Sequence, residues 1–318
     1  NMDISKEREN KKIAIIIPAF KPDFLQQTLE SISSQTCKNF RVYIGDDNSP
    51  HNLQRIVSPY INQLDIIYHK FEDNMGKQDL TSHWDRCIKL SHEPIIWLFS
   101  DDDIMPKDGI VRIMEALAIY GENKILFRFP LNVIDENNNI LFKSITETKQ
   151  SISGYQFLLD KLNGKIQSAA CEFVFSRDTY EKNLGFVKFP MAWCSDDATW
   201  VKFAEYTKQI VFLSGNAVLW RNATNKNISN SSQYNKEKFE ATLLFIQWII
   251  KRYANLPTDQ NLIKALEKYL YTIIRHSLNK DITLSELYKL CRILFNFNIQ
   301  LSCRVMYKHF FKTKLFHK

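Results

Sequence analysis

The first 120 residues alternate short apolar runs with longer stretches in which apolar residues recur every three or four positions. The runs are rich in β-branched and aromatic residues, which is typical of strands buried on both faces of a parallel sheet. Four runs are therefore expected to be strands: 13–17, 40–45, 65–69 and 94–99. The stretches after them predict helices near 23–35, 52–60, 80–91 and 106–120, the last with Pro106 at its first position. This alternation indicates βαβ units in a mainly parallel sheet flanked by helices, an α/β fold.

The middle of the chain carries weaker patterns. A run at 131–143 with the polar loop 135–139 at its centre predicts a hairpin. The other predicted elements are strands at 125–129, 171–175, 210–213 and 217–220, helices at 154–162, after Ser176 and up to Tyr206, and a polar loop at 221–234.

From about residue 236 the pattern becomes wholly helical. Helices are expected at roughly 236–253, 259–277, 283–296 and 300–312, packed as a compact appendage. The chain is thus predicted to have a flexible N-terminus at 1–10, an α/β domain at 11–234 and an all-helical C-terminal region at 235–318.

The net charge of +7 is unevenly distributed. Residues 236–318 contain 15 Lys and Arg against 6 Asp and Glu, and no acidic residue follows Glu286. In residues 301–318, basic residues alternate with Phe and Leu, which favours a helix lying in a membrane interface. Packing onto the body is the alternative, and it is favoured for 287–300.

Two further observations bear on location. No apolar stretch approaches the roughly 20 residues of a spanning helix, and the N-terminus lacks a signal-peptide core. The six cysteines form no Cys-x-x-Cys pair, so neither a zinc site nor a disulfide framework is indicated. A cytoplasmic protein is expected, with possible peripheral contact at the inner face of the cell membrane.

Carboxylates follow two of the predicted strands. Asp101, Asp102 and Asp103 come directly after the run that ends at Phe99, and Asp46 and Asp47 follow the strand at 40–45. Ligands bind at the carboxyl edge of open α/β sheets, and crowded carboxylates repel unless a cation lies between them. Mg²⁺ or Mn²⁺ held together with substrate phosphates satisfies both conditions. Capping of the next helix explains the three acids about equally well.

A second acidic pair, Asp196 and Asp197, stands at the head of a predicted helix. Acids in the first turn of a helix favour the helix dipole, which accounts for one acid well.

In their order and spacing, the motifs of residues 11–225 resemble those of the inverting family 2 glycosyltransferases with the GT-A fold. The matching pieces are Ile15-Ile16-Ile17-Pro18-Ala19-Phe20, Gly45-Asp46-Asp47-Asn48-Ser49, Asn74-Met75-Gly76, Ser100-Asp101-Asp102-Asp103 and Asp196-Asp197. Three departures accompany the match: Ser100 replaces the usual acid, no His follows Trp220-Arg221, and Ser82-His83-Trp84-Asp85-Arg86 replaces the common Ala-Arg-Asn.

The resemblance implies a role for each matching residue. It makes Asp197 the catalytic base with Asp196 as its neighbour, and it assigns a divalent metal, Mn²⁺ or Mg²⁺, to Asp102 and Asp103. The implied donor is a nucleotide sugar, most often of uridine, and the implied acceptor a saccharide or lipid-linked saccharide in bacterial polysaccharide or glycolipid synthesis. The residues expected around the nucleotide are Pro18, Ala19, Phe20, Asp46, Asp47, Asn74, Gly76, Lys77, Arg86 and Asp101.

Two other functions compete with this one. A sugar nucleotidyltransferase also places acids and Mg²⁺ at strand ends, but it needs a Gly-rich phosphate loop, and 18–22 contains no glycine. A non-catalytic protein could bind a membrane surface through the basic tail. Nucleic acid is not expected as a partner, because the ligand edge of the sheet is acidic.

Overall fold

A computed structural model describes residues 11–144, 148–223, 235–274 and 283–314 of the chain, with side chains up to residue 308. Its strands are β1 (Ile13–Ala19), β2 (Phe40–Asp46), β3 (Ile66–Lys70), β4 (Ile95–Leu98), β5 (Leu126–Arg128), β6 (Leu131–Ile134), β7 (Ile140–Lys143), β8 (Ser151–Ile152), β9 (Phe173–Ser176), β10 (Ile210–Phe212) and β11 (Val218–Arg221). Its α-helices are α1 (Leu25–Ser33), α2 (Leu53–Val57), α3 (Leu80–Ile88), α4 (Gly109–Tyr120), α5 (Gly154–Leu162), α6 (Arg177–Lys182), α7 (Ser195–Thr207), α8 (Asn235–Arg252), α9 (Gln260–Thr272), α10 (Leu284–Phe297) and α11 (Ile299–Lys314).

The main sheet has eight strands in the order β3-β2-β1-β4-β9-β5-β10-β8. Strands β3, β2, β1 and β4 are parallel, whereas β9 runs antiparallel to both β4 and β5. A second sheet, β11-β6-β7, contains the predicted hairpin as the antiparallel pair β6 and β7. The mixed, mainly parallel sheet predicted from the apolar runs is confirmed.

Side chains of the central strands alternate between two apolar cores. Ile13, Ile15 and Ile17 of β1 contribute to one core, and Ala14 and Ile16 contribute to the other. Successive side chains of a strand point to opposite faces, so a strand covered on both sides must be apolar throughout. This burial explains why the central strands appear in the sequence as unbroken apolar runs.

The C-terminal helices share one of these two cores. Ile246 of α8, Leu266 of α9, Leu294 of α10 and Leu301 of α11 are buried in the same cluster as Ile16 of β1. The predicted all-helical C-terminal region is confirmed, and its helices join this core by packing against α5 and against residues 190–192. The domain limit at residue 234 stays a prediction.

Several local expectations need correction. Helix α4 begins at Gly109, so Pro106 lies in the preceding turn and not at the first helical position. The loop predicted at 221–234 lies mostly outside the described residues, as does the tail beyond residue 314. Within the described part of the chain, no helix is long and apolar enough to cross a membrane.

Candidate active site

The carboxyl ends of β1, β2 and β4 lie side by side, because these strands are parallel neighbours. The loops after them therefore meet at one edge of the sheet. Most of the residues predicted to bind a nucleotide or metal lie in these loops or in the loop after β3. The structure thus brings together four sequence segments that are up to 80 residues apart.

Asp101 ties the loop after β4 to the loop after β1. Its Oδ2 accepts hydrogen bonds from the backbone amides of Phe20 and Lys21, at 2.8 and 2.9 Å. Burial raises the pKa of Asp101, although these two amides oppose the shift. One oxygen of Asp101 therefore fixes the path of the first loop.

Asp102 and Asp103 point to different surroundings. Asp103 is fully buried, and its Oδ1 accepts the backbone amide of Arg221 at 2.8 Å. Asp102 is half-buried, and none of the described residues donates a hydrogen bond to its carboxylate. Burial, followed by the charges of Asp103 and Asp101, raises the pKa of Asp102 well above its usual value. Of the two predicted metal ligands, Asp102 is the one whose carboxylate can face a ligand.

Arg221 braces this loop from the second sheet. Its guanidinium is completely buried and donates to the carbonyl oxygens of Asp102 and Asp135 and to Oε1 of Gln27, each at 2.9 Å. It also lies 4.1 Å from the centre of the Phe24 ring. Asn222 stands where the family resemblance would place a His beyond this arginine.

Asp47 holds the loop that follows β3. Its two carboxylate oxygens accept the backbone amides of Met75 and Gly76, at 2.9 and 2.8 Å, and Arg86 donates to it at 2.5 Å. Gly76 must be a glycine here, because a Cβ atom would lie 2.6 Å from Oδ2 of Asp47. The predicted contacts of Asp47, Gly76 and Arg86 with a nucleotide would therefore be made by a preassembled unit.

Arg86 takes its place in this unit through several contacts. It donates to Oδ1 of Asp73 at 2.7 Å, and its guanidinium lies 3.9 Å from the centre of the Phe71 ring. His83 accepts from Arg86 at 3.0 Å and is 2% exposed. Burial lowers the pKa of His83 to about 4, so this imidazole is neutral near pH 7.

The remaining predicted nucleotide-binding residues differ in exposure. Phe20 is 37% exposed, and Lys77 is also exposed, whereas Ala19 is buried beneath them. Pro18 is half-buried, and Asn74 accepts the amide of Lys77 at 3.0 Å. The ring of Phe20 is thus open to a planar ligand at the edge where Asp101 fixes its backbone.

Asp46 has a different position from its neighbour Asp47. Its carboxylate is fully buried and accepts hydrogen bonds from the amide of Ser49, at 2.7 Å, and from the hydroxyl of Tyr68. The contact between Asp46 and a nucleotide stays a prediction. In the structure, Asp46 stabilises the turn that presents Asp47.

The acid pair begins α7, after a backbone segment in which Met191, Ala192 and Cys194 all have positive φ angles. Oδ1 of Asp197 accepts from the Ser168 hydroxyl at 2.7 Å and lies 3.2 Å from the ammonium of Lys161. Burial, and then the charge of Asp197, raises the pKa of Asp196 to about 7. One carboxylate is therefore paired with a cation while its neighbour can carry a proton near neutral pH.

The short segment 168–172 connects the two acidic groups. Ser168 donates to Asp197, while the Cys171 thiol lies beside Asp103, whose charge adds to burial in raising the pKa of that thiol. The carbonyl of Cys171 is fixed by the indole nitrogen of Trp97 at 2.8 Å. Sequence reasoning overlooked Lys161 and Ser168, because neither stands within a motif. It considered Trp220-Arg221 only for the His that does not follow, and so missed the bracing role of Arg221.

Within the described side chains, no three His, Cys, Asp or Glu residues are grouped so that they could hold a metal ion. The assignment of a divalent metal to Asp102 and Asp103 stays a prediction. A cation at this edge would need ligands in addition to these two carboxylates.

The family model described as glycosyl transferase family 2 matches residues 14–184. Among curated proteins, protein CgeD of Bacillus subtilis (strain 168) is 23% identical over 128 residues, which cover 36% of this chain and 30% of that protein. The chain thus aligns with less than a third of the length of this curated relative.

Solved structures with a similar fold have low sequence identity to the chain. TarS residues 1–349 of S. aureus, in complex with UDP-GlcNAc, superposes with a TM-score of 0.66 at 17% identity, covering 92% of this chain and 81% of that one. The mannosyltransferase PcManGT of Pyrobaculum calidifontis, in complex with GDP-Man and Mn²⁺, gives a TM-score of 0.51 at 13% identity, covering 95% and 87% of the two chains. Since the family model covers more than half of its length, the chain belongs to glycosyl transferase family 2, and its structure has the GT-A fold.

Proposed function

We propose that this glycosyltransferase moves a sugar from a uridine diphosphate donor to an acceptor hydroxyl, with inversion at the anomeric carbon. The observation that carries the proposal is the carboxylate of Asp102. It lies at the ligand edge of the sheet without a hydrogen bond from any described residue, while its neighbours Asp101 and Asp103 are held by backbone amides. The structures of TarS with UDP-GlcNAc and with UDP favour uridine as the nucleotide.

The nucleotide would bind across the loops that follow β1, β2 and β3. The exposed ring of Phe20 offers a stacking surface for the base, which is how aromatic side chains commonly bind planar ligands. The exposed ammonium of Lys77 could approach the diphosphate. Asp47 and Arg86 already hold the loop at 74–76, so little ordering would be needed when the donor binds.

The carboxylates at this edge of the sheet could supply part of the ligand set of a divalent cation. Asp102 would be its protein ligand. Burial and two neighbouring carboxylates raise the pKa of Asp102, and a cation beside this group would offset their repulsion. The diphosphate would supply oxygen ligands that the protein lacks. A bound Mn²⁺ or Mg²⁺ would neutralise charge on the leaving nucleoside diphosphate.

Asp197 is the proposed base. It would take the proton of the acceptor hydroxyl as the hydroxyl oxygen attacks the anomeric carbon. Its Oδ1 is occupied by Ser168 and Lys161, and no described residue donates to its Oδ2. The free oxygen is therefore the one that would receive the proton.

The acceptor is proposed to be a saccharide or lipid-linked saccharide in bacterial polysaccharide or glycolipid synthesis. An acceptor in a lipid layer would suit a cytoplasmic enzyme that contacts the inner face of the membrane peripherally. Family membership favours glycosyl transfer over the two competing functions.

A thermal-shift screen tests the donor assignment. The protein would be heated with UDP, GDP, UDP-GlcNAc and GDP-Man, each with and without Mn²⁺. A ligand that binds the native state raises its apparent stability, so UDP ligands with Mn²⁺ should raise Tm the most. A larger shift with the GDP ligands would contradict the choice of uridine. Release of UDP from UDP-GlcNAc or another UDP-sugar would then identify turnover.

A further inference from the structure

A partly buried ion pair joins the C-terminal end of α5 to the acid pair at the start of α7. The ammonium of Lys161 lies 3.2 Å from Oδ1 of Asp197, and the two side chains are 20% and 16% exposed. Burial opposes the charge on Lys161, yet the charges of Asp197 and then Asp196 raise the pKa of its ammonium above the usual value. Lys161 is therefore cationic in the presence of these acids.

The packing of α5 against α7 fixes this pairing. A Cβ atom at Gly154 would lie 2.9 Å from the carbonyl oxygen of Val201 and 3.0 Å from Cβ of Ala204, so the two helices meet closely there. From this contact to the ion pair, each helix runs seven residues, from Gly154 to Lys161 and from Ala204 back to Asp197. Seven residues are about two turns of a helix, so both side chains return to the shared face.

Two further titratable groups near the acid pair, Cys194 and Tyr269, are neutral at pH 7. Cys194 precedes the pair, and Tyr269 of α9 lies 3.4 Å from its thiol. Burial raises the pKa of both groups, with the charge of Asp197 contributing to each shift, so both are neutral near pH 7. The nearby Glu172 is paired with Arg128 at 3.1 Å; burial raises the pKa of Glu172 to about 7, while the charges of Arg128 and then Lys161 oppose that rise. Among the described residues, Lys161 alone makes an ion pair with Asp197.

We infer that Lys161 is a positioning residue for the base: its ammonium holds Asp197 by one oxygen and is the positive charge that the acid pair faces. The inference rests on the proposed role of Asp197 in transfer. With Ser168, Lys161 occupies Oδ1 and leaves Oδ2 for the acceptor hydroxyl. Lys161 would act through Asp197 and is not required to touch either substrate.

The electrostatic consequence has a definite sign. The charge of Lys161 lowers the pKa of Asp196 and so partly offsets the rise caused by burial and by Asp197. Replacing the ammonium by an uncharged group of similar length should therefore raise the pKa of Asp196 above about 7. Asp196 and Asp197 are interacting neighbours, so the acidic limb of the pH profile for transfer belongs to the pair and should move in the same direction.

Lys161→Met tests this inference, with Lys165→Met as the matched control. Lys165 is 66% exposed and lies 3.8 Å from Asp160, away from the acid pair. We expect Lys161→Met to lower kcat about tenfold at pH 7 with little change in donor KM, and to move the acidic limb upward by about one pH unit. Lys165→Met should match the unsubstituted enzyme, and Lys161→Arg should restore the position of the limb.

Ser168→Ala separates charge from hydrogen bonding. This variant loses a donor to Oδ1 but no charge, so it should lower kcat without moving the acidic limb. Circular dichroism and Tm of each variant would establish that the fold is retained. If Lys161→Met and Ser168→Ala moved the limb equally, or if neither moved it, the inference would be overturned.

An NMR titration of the aspartate carboxyl carbons provides a readout that needs no activity. Asp196 would be assigned by comparison with Asp196→Asn, and its pKa should rise in Lys161→Met but not in Lys165→Met. A rise without detectable transfer from any nucleotide sugar would count against the proposed function while supporting the coupling between Lys161 and the acids. Normal transfer with an unchanged Asp196 titration would overturn the role of Lys161 and leave the proposed function standing.

Discussion

At the residue scale, the candidate site separates acids that support loops from acids that remain free for a ligand. The carboxylates of Asp101 and Asp47 accept hydrogen bonds from backbone amides of other loops, and Asp103 accepts one from the amide of Arg221. Asp102 has no such partner among the described residues. Four acids that look equivalent in the sequence are therefore expected to respond differently to substitution.

Asp102→Asn should abolish the Mn²⁺-dependent part of UDP binding, because it removes the negative charge that attracts a hard cation. Isothermal titration of UDP with and without Mn²⁺ measures this effect. Glu122→Gln is the matched control, since Glu122 pairs with Lys12 at the start of β1, on the opposite edge of the sheet. An unchanged metal-dependent affinity in Asp102→Asn would exclude this carboxylate as the ligand.

Asp197→Asn should lower the rate of transfer by about 10²-fold or more, which is the usual loss when a general base is removed. Donor affinity should barely change, because the side chain is assigned to the acceptor side of the reaction. Steady-state rates and donor binding in Asp197→Asn and Asp196→Asn test the assignment together. If Asp196→Asn were inactive and Asp197→Asn active, Asp196 would be the base. If both variants were active, neither acid would be the base, and the pair would only favour the helix dipole.

Asp196 also predicts how stability depends on pH. Its pKa is raised to about 7 in the folded chain, above the value near 3.9 expected in the unfolded chain. The free energy of unfolding should therefore fall as the pH rises from about 4 to about 7, because the unfolded chain ionises first. Asp196→Asn should therefore raise Tm at pH 8 relative to the unsubstituted chain and have little effect near pH 4. Thermal melts at the two pH values measure this difference, and an equal effect at both would show that charge burial at Asp196 is unimportant.

At the scale of elements, α10 and the start of α11 are packed on one side and open on the other. Leu290 and Leu294 are buried, while Tyr288 and Phe295 on the outer face of α10 are 66% and 54% exposed. Arg292 is exposed beside them, and no acidic residue follows Glu286 in the sequence. An apolar outer face with neighbouring cations favours contact with an anionic lipid surface.

The first part of α11 is less available for this contact than the sequence indicated. Leu301 and Val305 are buried, and both Arg304 and Lys308 form ion pairs with Glu267. The aromatic residues predicted to enter a membrane, Phe310, Phe311 and Phe316, have side chains outside the described residues. The membrane prediction therefore depends on the end of the tail and on the outer face of α10.

Co-sedimentation with vesicles containing phosphatidylglycerol tests the two surfaces separately. We expect weaker binding by a chain that ends at Lys308, which keeps the buried part of α11, and by the double variant Tyr288→Glu and Phe295→Glu. Ile119→Glu is the control, because Ile119 is 73% exposed on α4, outside the C-terminal helices. Binding that is equal in all four proteins, or that is insensitive to salt, would rule out an anionic lipid contact at these surfaces.

At the scale of the whole molecule, the shared core predicts that the sheet and the C-terminal helices unfold together. Leu266→Ala removes a fully buried side chain of α9 and should cost about 2–5 kcal/mol of unfolding free energy. Denaturant unfolding followed by circular dichroism and by tryptophan fluorescence should give one coincident transition. A separate transition at lower denaturant concentration, seen by circular dichroism but not by tryptophan fluorescence, would indicate that residues 235–318 fold independently.

The sequence predicted the regular elements well because their burial is uniform. Strands such as β1 and β4 are covered on both faces, so their positions follow from apolar content alone. The carboxyl-edge loops could also be located, since each follows such a strand. What could not be predicted was the direction of each carboxylate. Asp46 and Asp47 are adjacent in the sequence. Asp46 nevertheless accepts hydrogen bonds from Tyr68 and Ser49, whereas Asp47 accepts them from the loop at 74–76.

Partners that are distant in the sequence were also beyond prediction. Lys161 reaches Asp197 because α5 and α7 pack closely at Gly154, and a lone lysine near a helix end carries no pattern that reveals this. The shared core of the C-terminal helices was missed for a similar reason. Helical periodicity shows that a helix has an apolar face but does not show which surface that face will cover.

The position of Arg221 has a consequence for how the enzyme is made. The loop at 101–103 is synthesised early in translation. Arg221, whose guanidinium braces this loop, is added more than 110 residues later. Because domains form progressively during synthesis, an elongating chain can contain the early strands without a finished pocket. A nascent chain should therefore be unable to capture nucleotide until residue 221 has emerged, and a recombinant fragment that stops at residue 184, where the family match ends, would lack the brace as well.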